Sequence, residues 1–433
     1  MIRAAGAFVL AVALAAPVAA APAHVTVVDA GGALAFAQSD PSVPIAGLLL
    51  LVRAGLDRES AKQNGLAALT AEALLRTPIA SAAQPDSVAL ADAVDAAGAS
   101  IGYAVGAQSV RFYLEGTPDG VARAAPLVAS VLAKGPAADA ASLAAARAAL
   151  AERIAGEEDD PRLVGRAMVR SAYYRGGAAL PPFGNPAALT ALGPADVSAF
   201  YASWYLRGDA IASAVGNTGP ATDAASRELL GALRAGNAQA TVLVTRPAAA
   251  AGKRIVTHRE VGAPYVVLGF AAPALGERDF PAALVLRALL SNLFERTGAS
   301  SAAMPFRSTG ALYGYDAAPA QLVLWINGGR VDPEQGLAGI DAIAKAASAK
   351  PLGAAVLARF KETARGQWAL ETVALDARAS AIGGAVAHGF PPDTADGVGA
   401  AIARVTAADV LRVAKRYLRT YDVALVLPRG NGN

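Results

Sequence analysis

The sequence predicts an α+β protein of two duplicated domains, each a mostly antiparallel sheet with helices packed on one face. The first observation behind this is a repeat. Residues 195–209 read ADVSAFYASWYLRGD and lead into the apolar run Ala210–Val215, while residues 408–422 read ADVLRVAKRYLRTYD and lead into Val423–Leu427. Each copy is an acidic-capped helix, a Tyr-Leu-Arg ending, an aspartate and a β-rich strand, with Pro194 and Thr406 where the helices should begin. The copies start 213 residues apart (195 to 408). Solenoid repeats recur every roughly 20–50 residues, so the spacing means duplicated domains rather than an array. Second, strands cluster and are followed by runs of helices, which is α+β rather than βαβ order. Third, 433 residues with 54% hydrophobic and 17% charged content suit two domains with large cores and argue against disorder.

In the first half, Val25–Val28, Ala33–Ala37 and Ile45–Val52 read as strands. The last is nearly continuous in apolar residues and should be buried on both faces. Helices are expected over Gly65–Arg76 and Ser87–Ala97, then strands over Ser100–Val105 and Val110–Leu114. In the second half, Tyr265–Phe270 and Leu322–Ile326 read as strands, and Pro281–Leu293, Gly336–Ala347 and Ala354–Leu370 as helices. The Ala/Gly/Pro-rich stretch Thr218–Lys253 contains one helix, Asp223–Arg234, and otherwise reads as a connection. The domains are therefore expected at 24–220 and 254–433, joined by a linker at 221–253.

Residues 1–23 are expected to be a secretory signal peptide. Arg3 precedes an apolar run from Ala4 to Ala16, then Pro17 and the small-residue stretch Val18–Ala21. That run is shorter than the about 18 residues a membrane span needs. No later stretch is long and apolar enough to span, so a soluble, exported, periplasmic protein is expected. The absence of cysteine excludes disulfides, thiolate metal sites and a cysteine nucleophile. A formal charge of +3, with Lys and Arg scattered rather than in stripes, argues against nucleic acid as a partner.

Several motifs carry a resemblance. Residues 52–75 read VRAGLDRESAKQNGLAALTAEALL; residues 173–205 hold a Pro-Phe-Gly turn, a small-residue helix and a D-V-x-x-F-Y helix; residues 306–315 read FRSTGALYGY. In this order they resemble the insulinase/pitrilysin metallopeptidases, the family that includes the mitochondrial processing peptidases. The resemblance covers essentially the whole chain after residue 23. It implies two α+β domains enclosing half of a peptide chamber, where peptide binds by strand addition to a sheet edge.

The family's zinc motif is G-L-A-H-x-x-E-H, in which two imidazoles one helical turn apart hold the metal and the glutamate acts as base. Aligning Gly65-Leu66-Ala67 places Ala68, Ala71 and Glu72 at the first His, the base and the second His. No metal and no cofactor are therefore expected in this chain. The three histidines, His24, His258 and His388, lie far apart in sequence and read as ordinary surface or loop residues. Glu152, on a helix expected over Leu143–Ala155, lies near where the resemblance places the distal ligand. The acidic run Glu157–Asp160 reads as a solvated helix end, lacking the spacing of a calcium loop. Gly98–Gly102 matches G-x-S-x-G, but a helix leads in and a strand follows, the reverse of a nucleophile elbow.

Arg307 and Tyr313 fall on the family's R-x-x-x-G-x-x-Y element, with the Arg-to-Gly spacing one residue shorter. The resemblance implies a clamp on the substrate backbone and tetrahedral intermediate, for which an arginine fork and a phenol donor are suited. In heterodimeric relatives one subunit brings zinc and the other this pair. The chain is thus expected to be the non-zinc subunit of a heterodimeric peptidase, acting in trans on peptides at the zinc of a homologous partner. The competing expectation is a catalytically silent peptide-binding or scaffold protein of the same fold.

Overall fold

The computed structural model describes residues 24–80, 87–237, 252–300, 306–314, 320–328 and 332–429. The expected signal peptide, residues 1–23, lies outside the described residues, as do the side chains of residues 297–300, 306 and 307. The first half opens with β1 (Val25–Val27), β2 (Leu34–Ser39), β3 (Ala46–Val52) and α1 (Leu66–Arg76), followed by the short β4 (Pro78–Ile79) and β5 (Val88–Ala89). Then come α2 (Leu90–Ala96), β6 (Ala99–Val105), β7 (Val110–Gly116), α3 (Pro118–Lys134), α4 (Ala140–Asp159) and α5 (Pro161–Tyr173). It closes with α6 (Pro186–Ala191), α7 (Pro194–Trp204), β8 (Ile211–Gly216) and α8 (Pro220–Ala232).

The second half contains β9 (Arg254–Arg259), β10 (Tyr265–Ala272), α9 (Phe280–Ser300), β11 (Phe306–Gly314) and β12 (Ala320–Gly328). After them come α10 (Pro333–Ala347), α11 (Ala354–Glu371), α12 (Leu375–Ala387), α13 (Val398–Arg404), α14 (Ala407–Tyr417) and β13 (Tyr421–Pro428). Helix starts follow their signals. Thr117, Asp139, Asp160, Asn185, Asp332 and Thr406 each accept a backbone N–H at a helix N-terminus. In four of these a proline follows the cap, where its missing N–H costs nothing.

The two sheets share one plan. The first runs β1-β2-β8-β3-β7-β6 and the second β11-β12-β10-β13-β9. In both, a single parallel pair (β2 with β8, β9 with β13) joins otherwise antiparallel neighbours. The duplication read from the two Asp-Val helices is thus a duplication of whole domains, and α+β describes both.

One face of each sheet packs on its own helices. Leu48 and Leu50 of β3, with Phe112 and Leu114 of β7, join α1 and α3 in the first core; Leu268 and Phe270 of β10 join α9 and α14 in the second. The opposite faces are covered by an exchange. Helix α12 lays Leu375, Ala379 and Ile382 on Leu49, Leu51 and Ile211 of the first sheet. Helix α5 lays Val169 on Val267, Val323 and Ala424 of the second. This is why the continuous run in β3 is buried on both sides. Polar contacts fix the exchange: Tyr113 Oη and Ser380 Oγ are 3.0 Å apart, the Tyr173 hydroxyl donates to Ala320 O at 3.1 Å, and Gln321 Nε2 donates to Val169 O at 3.2 Å.

Two expectations are corrected. The stretch 221–253 is not linker from its start, because α8 buries Ala225, Leu229 and Leu230 in the first core. The helix expected from Ser87 begins at Leu90, since Val88 and Ala89 pair with Pro78 and Ile79 instead.

Candidate functional site: a metal position packed shut

Helix α1 starts at Gly65, whose φ of 98° lies in the left-handed region. Gly184 of the Pro-Phe-Gly turn presses on it: a Cβ on Gly65 would sit 2.9 Å from the Gly184 Cα. The first turn is capped by Glu59 from the preceding loop. Its buried carboxylate accepts from Gly65 N at 3.0 Å, Ala67 N at 2.6 Å and Asn64 Nδ2 at 3.2 Å. Burial pushes this carboxyl up to about 7, against the pull of those donors.

Ala68 and Ala71 are fully buried in the first core. An alanine offers no donor atom, so two of the three positions that the sequence aligns with a zinc motif are occupied by core side chains. Glu72 remains polar and is sequestered. Arg76 Nε donates to its Oε1 at 2.7 Å, the Tyr103 hydroxyl donates to its Oε2 at 2.9 Å, and Arg153 Nη2 lies 3.7 Å from Oε2. The Arg153 guanidinium is held between two rings, 4.7 Å from the Tyr103 centroid and 5.4 Å from that of Phe183. Burial, then the Glu72 charge, drive the Tyr103 hydroxyl well above its usual range, so it stays a donor. A cation still faces Glu72, but it is an arginine. Among the described residues no group of His, Cys, Asp or Glu could hold a metal ion.

Sequence reasoning looked to Glu152 on α4 and missed Arg153. Glu152 is exposed, and the contacts to Glu72 come from Arg76, Tyr103 and Arg153. The signal was available in the helix period: Leu143, Ala146 and Leu150 mark the buried face, and a further three residues lead to Arg153. Ser100 of the G-x-S-x-G match is exposed in β6, its hydroxyl donating to Glu115 O at 3.4 Å, with no strand-turn-helix elbow around it. His24 and His258 are exposed, and His388 lies at the end of α12.

Arg307 and Tyr313 both lie on β11, an edge strand of the second sheet. Arg307 falls where the pairing with β12 shifts between Phe306 and Ser308. Its side chain lies outside the described residues. Tyr313 is buried: its hydroxyl donates to Pro273 O at 2.6 Å and its ring packs 5.5 Å from that of Phe280. Glu72 takes its contacts from the first half, so the structure does not bring Tyr313 to the motif positions.

A duplicated α+β fold, with core alanines at two of the positions aligned with a zinc motif, sets the class of fold with which the chain is compared. Residues 191–374 match the family model described as "Peptidase M16 inactive domain". Over these residues the chain is similar to an insulinase-like peptidase domain of the inactive type. Solved structures share the fold over nearly the full length. A peptidase M16 inactive domain from Pseudomonas fluorescens is similar at 16% identity and TM-score 0.80, covering 95% of this chain and 99% of that one. A protease from Helicobacter pylori aligns at 15% identity and TM-score 0.81, covering 94% and 100%. A chain of complex III2 from Candida albicans aligns at 16% identity and TM-score 0.75, covering 93% and 95%. A comparison with curated proteins gave no match.

Proposed function

We propose that this chain is the non-zinc subunit of a two-subunit periplasmic zinc peptidase, exported by residues 1–23. It binds peptides and supplies Arg307 and Tyr313 in trans at the zinc of a homologous partner. The observation that carries the reading is one-sided loss: Ala68 and Ala71 are sealed in the core and Glu72 is tied to Arg153, while the surrounding fold is kept. The edge strands β6 and β11 remain available for a peptide to add as a strand.

The test is co-purification from the native host, followed by metal analysis and peptide hydrolysis by the reconstituted pair. Replacing Arg307→Ala and Tyr313→Phe together should lower turnover on the order of 10²-fold or more while the complex stays assembled. Unchanged turnover would sink the trans clamp. A second reading, a catalytically silent peptide-binding or scaffold protein, is favoured by one contact: the Tyr313 hydroxyl is already occupied by Pro273 O. On that reading no zinc-bearing protein co-purifies, and Tyr313→Phe lowers stability without touching any turnover.

A further inference from the structure

Helix α11 is anchored in the second core by Phe360, Ala364 and Trp368, four residues apart on one face. A surface helix ordinarily turns a charged face to water. At helical spacing Ala355, Glu362, Gly366 and Ala369 fall opposite the anchor; all four are exposed and only one is charged. Val356 near the start of the helix is 44% exposed, Leu370 near its end 76%, and Val373 just past it 64%. Among the described residues seven large hydrophobic side chains are exposed, and these are three of them. Single exposed apolar residues are ordinary, whereas several gathered on one helix mark an interaction surface. In the middle of the face a Cβ added to Gly366 would meet nothing within 4 Å, which leaves room for a second backbone to come close.

The face is its own complement. Arg365 Nη1 donates to both carboxylate oxygens of Glu362 at 3.1 Å, an exposed pair one turn apart. A second α11 laid antiparallel, about a two-fold axis crossing the helix between Thr363 and Ala364, brings together positions equidistant from that axis. Glu362 then meets Arg365 of the second copy, and Arg365 meets its Glu362. Two local pairs close into a ring of four alternating charges. In the same register Leu370 comes over Val356 of the second copy, and Val373 over its Ala355. Symmetry makes each of these contacts twice. A bilayer would bury the apolar ends but leave the central charges unmatched.

We propose that α11 is a self-association surface, occupied by a second copy of this chain lying antiparallel on it. One helix on one helix is a small interface, so the dimer forms in the micromolar range rather than as a permanent assembly. The residues of the zinc-subunit reading lie on other elements, so either proposal can fail alone.

Sedimentation velocity of the full chain over about 1–100 μM tests it. The unaltered chain should shift from monomer to dimer across that range. Leu370→Asp should weaken association by about 100-fold, since each substitution is felt at both ends of the contact. Val256→Asp, at an exposed valine of β9, should leave it unchanged. Arg365→Glu gathers four carboxylates at the axis and should weaken the dimer by about ten-fold; adding Glu362→Arg should restore it. The chain has no cysteine, so Glu362→Cys, close to the axis, should give a disulfide-linked dimer on mild oxidation, while Val256→Cys should not. A chain that stays monomeric throughout, a Leu370→Asp variant that dimerises like the parent, a double swap no better than the single, or a Glu362→Cys chain that does not crosslink overturns the proposal. If Leu370→Asp does not fold, the charge swap and the crosslink decide.

Discussion

Replacing Glu72 by alanine tests whether its cluster with Tyr103, Arg76 and Arg153 is structural. The Glu72 side chain is 6% exposed, and the substitution strands three partners. The Tyr103 hydroxyl, buried and donating to Oε2 at 2.9 Å, loses its acceptor. An unsatisfied buried hydroxyl costs about 1–3 kcal/mol. Arg76 and Arg153 are 41% and 40% exposed, so water takes up most of their charge once the carboxylate is gone. Their combined share is therefore about 1 kcal/mol rather than the larger cost of breaking a fully buried pair. Glu72→Ala should then destabilise by about 3 kcal/mol. Tyr103→Phe should cost about 1 kcal/mol, and the double variant should be less destabilised than the sum, since both remove the same hydrogen bond. Guanidinium denaturation of the four proteins gives the cycle. A Glu72→Ala variant within about 0.5 kcal/mol of the parent refutes the reasoning, because a surface carboxylate behaves that way.

Two further outcomes are expected. Gly165 of α5 lies so near the second sheet that an added Cβ would meet Val267 Cγ2 at 2.3 Å. Gly165→Ala, favourable for an isolated helix by about 1 kcal/mol, should instead destabilise by about 1–2 kcal/mol in thermal melts. Glu59 sets a pH dependence. Its carboxyl is raised to about 7 in the folded chain, above its unfolded value, so its contribution is complete below about pH 4.5 and is lost as pH rises through 7. The parent should lose up to about 3 kcal/mol relative to Glu59→Gln between pH 5 and 8, and parallel stability–pH curves would contradict this.

Much of the architecture is local enough to be read in the chain. Capping residues before prolines set helix starts, and the shared Asp-Val helix and following strand announce the duplication of α7–β8 in α14–β13. The run in β3 signals burial on two faces, but nothing near it says that the second cover is α12, more than 300 residues later. That contact is a matter of topology, not of local pattern. At the site, the lack of ligand atoms is legible at Ala68 and Ala71 because alanine has no donor atom whatever the fold. The place of Arg153 beside Glu72 is not, since it needs the rotation of α4 against α1, and a one-residue error in phase selects Glu152 instead. The start of the connection is hidden for a related reason: composition marks α8 as Ala-rich, while only the fold shows its leucines entering the first core.

The crossed helices bear on how such a chain is made and how it arose. During synthesis one apolar face of the first sheet lacks its cover until α12 leaves the ribosome, so the first half reaches its full packing only late in the chain. A single ancestral unit of this plan would have had no second half to receive its helix. In this chain each half receives that cover from the other, so α5 and α12 each belong to the packing of both halves.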